Sequence, residues 1–208
     1  MYGGTDDRGR SIATRGLRNR GNCIIWTFIV HLEVPLSDSP GSPSGTATNE
    51  FLVNNQKYAA GFSGPLPMPP SRHVAVVACM DARLNVYAAL GLAEGESHVI
   101  RNAGGVVTDD VIRSLAISQR LLGTTEIILI HHTDCGMLTF TDDAFKQAIQ
   151  DDTGLRPTWA PESFPDVDDD VRQSLARIQA SPFIGLKDHL RGFVFDVATG
   201  RLQEVTVS

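Results

Sequence analysis

The chain has 208 residues, with 18 basic against 24 acidic side chains and a formal charge of −6. That length buries one substantial core and requires no second domain, and the acidic balance offers no basic patch beyond residue 20 for a nucleic-acid partner. Three cysteines, Cys23, Cys79 and Cys135, are too few for a disulfide scaffold. The last two suit thiolate ligands in a reducing compartment, which points to the cytoplasm, with a mitochondrial matrix as the alternative.

Residues 1–22 carry Arg8, Arg10, Arg15, Arg18 and Arg20 among glycine and serine, and the apolar run that follows, residues 23–30, is too short to span a bilayer at roughly 20 residues per crossing. No small-x-small cleavage pattern follows it, and Asp6 and Asp7 count against an organellar presequence, so the segment reads as a poorly ordered extension or an incorrectly assigned start. Residues 35–48 are dominated by Pro, Gly, Ser and Thr and read as a linker. The expected division is a disordered extension and linker over 1–48 and a folded domain over 49–208. A weakly helical stretch over 49–61 opens that domain, with Gly61 at its end. Its apolar residues, among them Phe51 and Leu52, would be poorly covered in a lone subunit, which predicts packing on a neighbour such as a second copy.

From His73 onward strands and helices alternate. The pattern predicts strands over 74–78, 98–101 and 126–131, with helices over 85–90 and 109–122 between them, which is the signature of a parallel sheet with crossover helices. Thr108 is placed to cap the second of these helices, with Asp109 and Asp110 in its first turn, and Val111, Ile112, Leu115, Ala116, Leu121 and Leu122 as its buried stripe. A helix over 142–150 capped by Thr141, an irregular segment over 157–165 and a helix opening at 168 and closing near Ala180 follow. The run Asp168, Asp169, Asp170 reads as a solvated helix N-terminus. Residues 192–205 read as two strands joined by a tight glycine turn.

Two of the strands end abruptly in metal-ligand residue types: the first in Cys79, the third in His131-His132-Thr-Asp-Cys135. Cys79, His132 and Cys135 make a three-ligand set for zinc that leaves the fourth position open for water. A structural zinc in a binding module would instead need four protein ligands. Asp81 and Arg83 alternate with Cys79, so in an extended stretch all three side chains share one face. Two thiolates weaken zinc as a Lewis acid, and an Asp81 kept ionised by Arg83 is a suitable acceptor to orient hydroxide. The plain alternative is an ion pair bracing a loop. His131 should face the other side of its strand, and Asp134 suits a hydrogen bond to backbone or a neighbouring group better than zinc. Asn102, Ala103, Gly104 and Gly105, between a strand and a helix, form a wall of the substrate pocket; nucleotide phosphate is unsupported, with no G-x-G-x-x-G or Gly-Lys-Ser/Thr.

Cys79-x-Asp81-x-Arg83 and His132-x-x-Cys135-Gly136, with Arg101-Asn-Ala-Gly-Gly105 between them, resemble the β-class carbonic anhydrases over about residues 50–207. The resemblance implies an α/β fold with a mostly parallel sheet flanked by helices, a homodimer or higher homo-oligomer, and zinc held by Cys79, His132 and Cys135. It also implies an Asp81–Arg83 dyad that positions a zinc-bound hydroxide, with an aspartate that can swing onto the metal and switch the site off. The stretch from His131 to Met137 replaces the more widespread His-Ser-x-Cys-Gly-Gly and resembles a short branch of the family that includes carbonyl sulfide hydrolases. The expected reaction is therefore reversible hydration of carbon dioxide to bicarbonate, with hydrolysis of carbonyl sulfide as the alternative on the same residues. Small-molecule substrate apart, neither nucleic acid nor membrane is expected as a partner.

Overall fold

The computed structural model describes residues 45–206. In chain order the elements are α1 (Ala47–Ala60), β1 (Val74–Cys79), α2 (Val86–Leu90), β2 (Ser97–Asn102), α3 (Asp109–Leu122), β3 (Glu126–His132), α4 (Asp142–Thr153), α5 (Val167–Ala180), β4 (His189–Phe195) and β5 (Leu202–Val205). A single 3-10 turn, Gly136–Leu138, follows β3. The readings placed on residues 1–44 lie outside the described residues.

The chain divides into two compact units, one ending at Phe62 and one beginning at Ser63. In the first, α1 starts two residues earlier than expected and buries none of its residues; Phe51, Leu52, Val53 and Tyr58 are all exposed. Among the described residues no helix is long and apolar enough to cross a membrane.

The second unit is built on a five-stranded sheet in the order β2-β1-β3-β4-β5, parallel except for β5, which pairs antiparallel with β4. The α/β class expected from the alternation of elements is what forms. The chain runs from β1 to β2 on one side and then crosses over β1 to lay down β3 on the other. The carboxyl ends of β1 and β3 therefore flank the point where the winding reverses, which is where open α/β sheets leave a crevice for ligands.

Both faces of the sheet are covered, so the strands read as near-continuous apolar runs. Ala75 and Val77 of β1 and Ile127 and Leu129 of β3 pack with Val111 and Leu115 of α3 and Val171, Leu175 and Ile178 of α5. On the opposite face Val76, Ala78 and Ile130 pack with Leu84, Val86, Val106, Met137, Phe164 and Phe195. Each fully buried Val, Leu or Ile among these contributes about 1.5–3 kcal/mol, which makes β1 and β3 the best-anchored strands of the sheet.

The helix caps form as expected: Thr108 accepts from the Val111 amide and Thr141 from the Ala144 amide. Two expectations fail. Leu121 is 75% exposed, because the buried stripe of α3 runs through Val111, Leu115, Ser118 and Gln119. Polar residues hold the core line there: the Ser118 and Thr124 hydroxyls lie 2.7 Å apart, and Gln119 donates to the Leu186 carbonyl and accepts from the Gly185 and Leu186 amides. The acidic run at α5 is likewise not wholly solvated. Asp166 is the actual cap, and Asp170 is buried, its Oδ2 at 2.7 Å from His131 Nε2. A rotation of about 100° per residue carries Asp170 from the solvent side, where Asp169 sits, to the sheet side of α5.

Candidate metal centre

β1 delivers Cys79 and β3 delivers His132 to the same sheet edge, and the loop after β3 folds Cys135 back toward both. The ligand atoms of Cys79, His132 and Cys135 all lie within 4.8 Å of one another, and all three residues are buried. The loop is pinned by Thr133, whose amide donates to the Phe195 carbonyl and whose hydroxyl accepts from the Val197 amide. The 3-10 turn then closes on Cys135 through the Leu138 amide.

His132 Nδ1 lies 2.8 Å from the Thr133 carbonyl oxygen. A carbonyl only accepts, so Nδ1 carries the proton and Nε2 presents a lone pair. That Nε2 is fully buried without a hydrogen-bond partner, a costly state for a polar atom unless a ligand completes it. The thiol of Cys79 is pulled down to about 4, chiefly by the hydrogen bond from Cys135 and against the effect of burial. Cys135 is pushed up by the same contact and by burial. His132 is raised, first by the Cys79 sulfur beside its ring. The pocket thus favours negative charge on one sulfur and opposes it on the other, and a bound dication would let both stand as thiolates. Two sulfurs and an imidazole are a donor set that fits zinc.

Asp81 and Arg83 are brought together, though by a turn and not by strand alternation. β1 ends at Cys79, and the Arg83 amide donates to Asp81 Oδ1 at 2.8 Å, folding the chain back on itself. Arg83 Nε then reaches Asp81 Oδ1 at 3.0 Å and Nη2 reaches Oδ2 at 2.8 Å, a two-pronged grip. Arg83 beside Asp81 holds its carboxyl well below the usual carboxylate range. Arg83 also donates to Asp134, through Nη1 to Oδ2 and Nη2 to the carbonyl. Asp134 accordingly hydrogen-bonds a neighbouring group, as its position suggested.

Arg101 was assigned no role of its own by the sequence. Its Nε and Nη2 both donate to the Cys79 carbonyl, at 2.9 and 2.7 Å, and Nη2 also reaches the Asp81 carbonyl at 2.7 Å. The available signal was its place in β2, opposite the carboxyl end of β1. Asn102 donates to the Val106 carbonyl, and the Met80 amide donates to the Asn102 carbonyl. Gly105, at φ +77°, packs so tightly that an added Cβ would sit 2.9 Å from the Cys79 nitrogen. Gly104 faces Met137 and Phe164 in the same way, while Ala103 is exposed. His131 points to the opposite face of the sheet from His132, as expected, and His73, His98 and His189 stand apart from the cluster: His73 bonds the Gly123 carbonyl, His98 bonds Ser118 and His189 opens β4.

Fold and cluster together define an α/β protein with a metal-type centre at the reversal point of a parallel sheet. A family model described as carbonic anhydrase matches residues 74–202. The chain is 74% identical over 161 residues to β-carbonic anhydrase 1 of Mycobacterium tuberculosis, which covers 77% of this chain and 99% of that protein. It is also 33% identical over 157 residues to a carbon disulfide hydrolase of Acidithiobacillus thiooxidans, covering 65% of this chain and 78% of that one. Among solved structures, a carbonic anhydrase from Streptococcus mutans superposes with a TM-score of 0.74 at 43% identity, over 79% of this chain and 100% of that one. The chain belongs to the β-carbonic anhydrase family and is an enzyme, which sets aside the reading of a non-catalytic zinc module.

Proposed function

We propose that this enzyme catalyses the reversible hydration of carbon dioxide to bicarbonate, with zinc held by Cys79, His132 and Cys135. The observation that carries the metal assignment is the buried, unpartnered Nε2 of His132 facing two sulfurs within 4.8 Å. Zinc, when bound, makes a water acidic enough to act as a nucleophile near neutral pH.

The chain's own residues do the rest. Asp81, kept ionised by Arg83, accepts a hydrogen bond from the attacking water, so that a lone pair faces the carbon of the substrate. Arg101 fixes the turn from which Asp81 projects by gripping the Cys79 and Asp81 carbonyls. Asn102, Ala103, Gly104 and Gly105 form the adjoining wall of the substrate cleft, and the apolar Val106, Met137 and Phe164 beside Gly104 keep that side free of competing polar groups.

Residues 49–208 are the catalytic domain in this reading, following an extension and linker over 1–48. The working unit is a homodimer or larger homo-oligomer, supported by the uncovered apolar residues of α1, and its place is the cytoplasm.

A second reading is supported by the carbon disulfide hydrolase relatives: hydrolysis of a sulfur-containing linear molecule, carbonyl sulfide to hydrogen sulfide and carbon dioxide, on the same residues. A difference of about 1.4 kcal/mol in transition-state binding changes the preference tenfold. The deciding measurement is kcat/KM for carbon dioxide, carbonyl sulfide and carbon disulfide on one zinc-replete preparation. Fast hydration with negligible sulfide release is expected. Sulfide release with near-absent hydration would replace the first reading with the second.

A further inference from the structure

Asp134 stands out in the loop between two of the three cluster residues, His132 at the end of β3 and Cys135. Its φ of +54° lies in the left-handed region that side-chain-bearing residues adopt seldom, aspartate and asparagine more readily than most. This conformation turns both of its acceptors toward Arg83: Oδ2 takes Nη1 at 2.7 Å and the carbonyl takes Nη2 at 2.9 Å. A guanidinium has five N–H groups. Two of those on Arg83 go to the Asp81 carboxylate and two to Asp134.

The consequence is geometric. Gripped by Asp81 alone, the Arg83 guanidinium could swing with that carboxylate as a unit. Gripped by both, its plane is tied to the loop after β3, the loop that also carries Cys135. The orientation of Asp81 is thereby referenced to His132 and Cys135, although it lies at the end of a different strand. Stability is a poor account of the contact. The side chains are 48% exposed at Arg83 and 78% at Asp134, and ion pairs this wet contribute little to folding, while the left-handed backbone has a cost. A strained residue whose contacts hold a reacting group in place points to function.

We propose that Asp134 is a positioning residue: acting through Arg83, it holds the Asp81 carboxylate in register with the Cys79–His132–Cys135 cluster. Its kinetic consequence rests on the proposed hydration reaction; the clamp itself does not.

The test uses the full zinc-loaded chain and two substitutions that tolerate a positive φ, Asp134→Asn and Asp134→Gly. Asparagine keeps a neutral acceptor and glycine removes it, so kcat/KM for carbon dioxide should fall least in Asp134→Asn and about tenfold in Asp134→Gly, the size expected for losing one charged hydrogen bond. Zinc content and the thermal midpoint should stay at the wild-type level. The second readout is the Arg83 Nε–H resonance, assigned by its loss in Arg83→Lys, which should exchange with solvent faster in both variants. Unchanged kcat/KM in Asp134→Gly overturns the proposal, as does a loss explained by lost zinc. If the wild-type protein hydrates no carbon dioxide at full zinc loading, the proposed reaction is wrong, and the resonance decides alone: unchanged exchange overturns the clamp, and faster exchange upholds it.

Discussion

His132 Nε2 lies 3.7 Å from Asp81 Oδ2, although the two residues stand at the ends of different strands. The same Oδ2 is already held by Arg83 Nη2 at 2.8 Å. The carboxylate thus borders the cluster without hydrogen-bonding to any of its three members, close enough to act on a group bound there. Purified protein should accordingly carry one zinc per chain by elemental analysis, and Cys135→Ser should weaken its retention against a chelator by orders of magnitude. Activity should vanish on chelation and return with added zinc. A substoichiometric metal that survives Cys135→Ser unchanged would sink the assignment.

The acid behaviour of Asp81 follows from its partner. Because Arg83 depresses its folded-state pKa, the stabilising effect of that pairing is fully present above the unfolded aspartate value of about 3.9 and is lost only as pH falls through the lower folded value. In Arg83→Met the carboxyl should titrate higher, toward the ordinary range, and the acid limb of kcat/KM should move to higher pH. A carbon-13 titration of the Asp81 carboxyl in both proteins checks the first statement and a pH–rate profile the second. Coincident curves would contradict the role given to Arg83.

The His131–Asp170 contact joins β3 to α5 inside the core, with His131 wholly buried. Asp170→Ala removes the acceptor and leaves a buried ring nitrogen unpaired, which should cost about 1–3 kcal/mol of stability. Asp170→Asn, which keeps an acceptor oxygen, should cost less. Urea unfolding measures both. Equal stability of Asp170→Ala and wild type would show that the contact is replaced by water.

Gly105 combines a φ of +77° with a backbone contact at the Cys79 nitrogen. Gly105→Ala should therefore destabilise the fold by about 1 kcal/mol or more and displace Cys79, lowering zinc affinity along with stability. Thermal unfolding and a competitive chelator titration, run on the same samples, should move together. A variant that loses stability while holding zinc as tightly as wild type would detach Gly105 from the centre.

The apolar residues of α1 give the oligomer prediction its form. Light scattering should find a dimer or larger particle, and placing charges at Phe51 and Leu52 should weaken it. A stable, fully active wild-type monomer at low concentration would contradict the proposed assembly.

Signals that act within a few residues were legible in the sequence. The apolar runs of β1 and β3, the Thr108 and Thr141 caps and the strand-end placement of Cys79 and His132 each depend on neighbours in the chain, and each forms as read. Alternation of strands with helices was enough to imply a parallel sheet, since parallel neighbours need a crossover between them. What only the tertiary structure decided are pairings between distant residues. Asp170 meets His131 across 39 positions, Arg83 meets Asp134 across 51, and Arg101 reaches Cys79 across 22. Nothing local distinguishes the buried Asp170 from half-buried Asp168 or exposed Asp169, or an arginine that closes a site from one that faces water. The same limit explains Leu121: its spacing fits a helical stripe, but which arc of α3 meets the sheet is set by where β1 and α5 lie, and that arc runs through Ser118 and Gln119 instead.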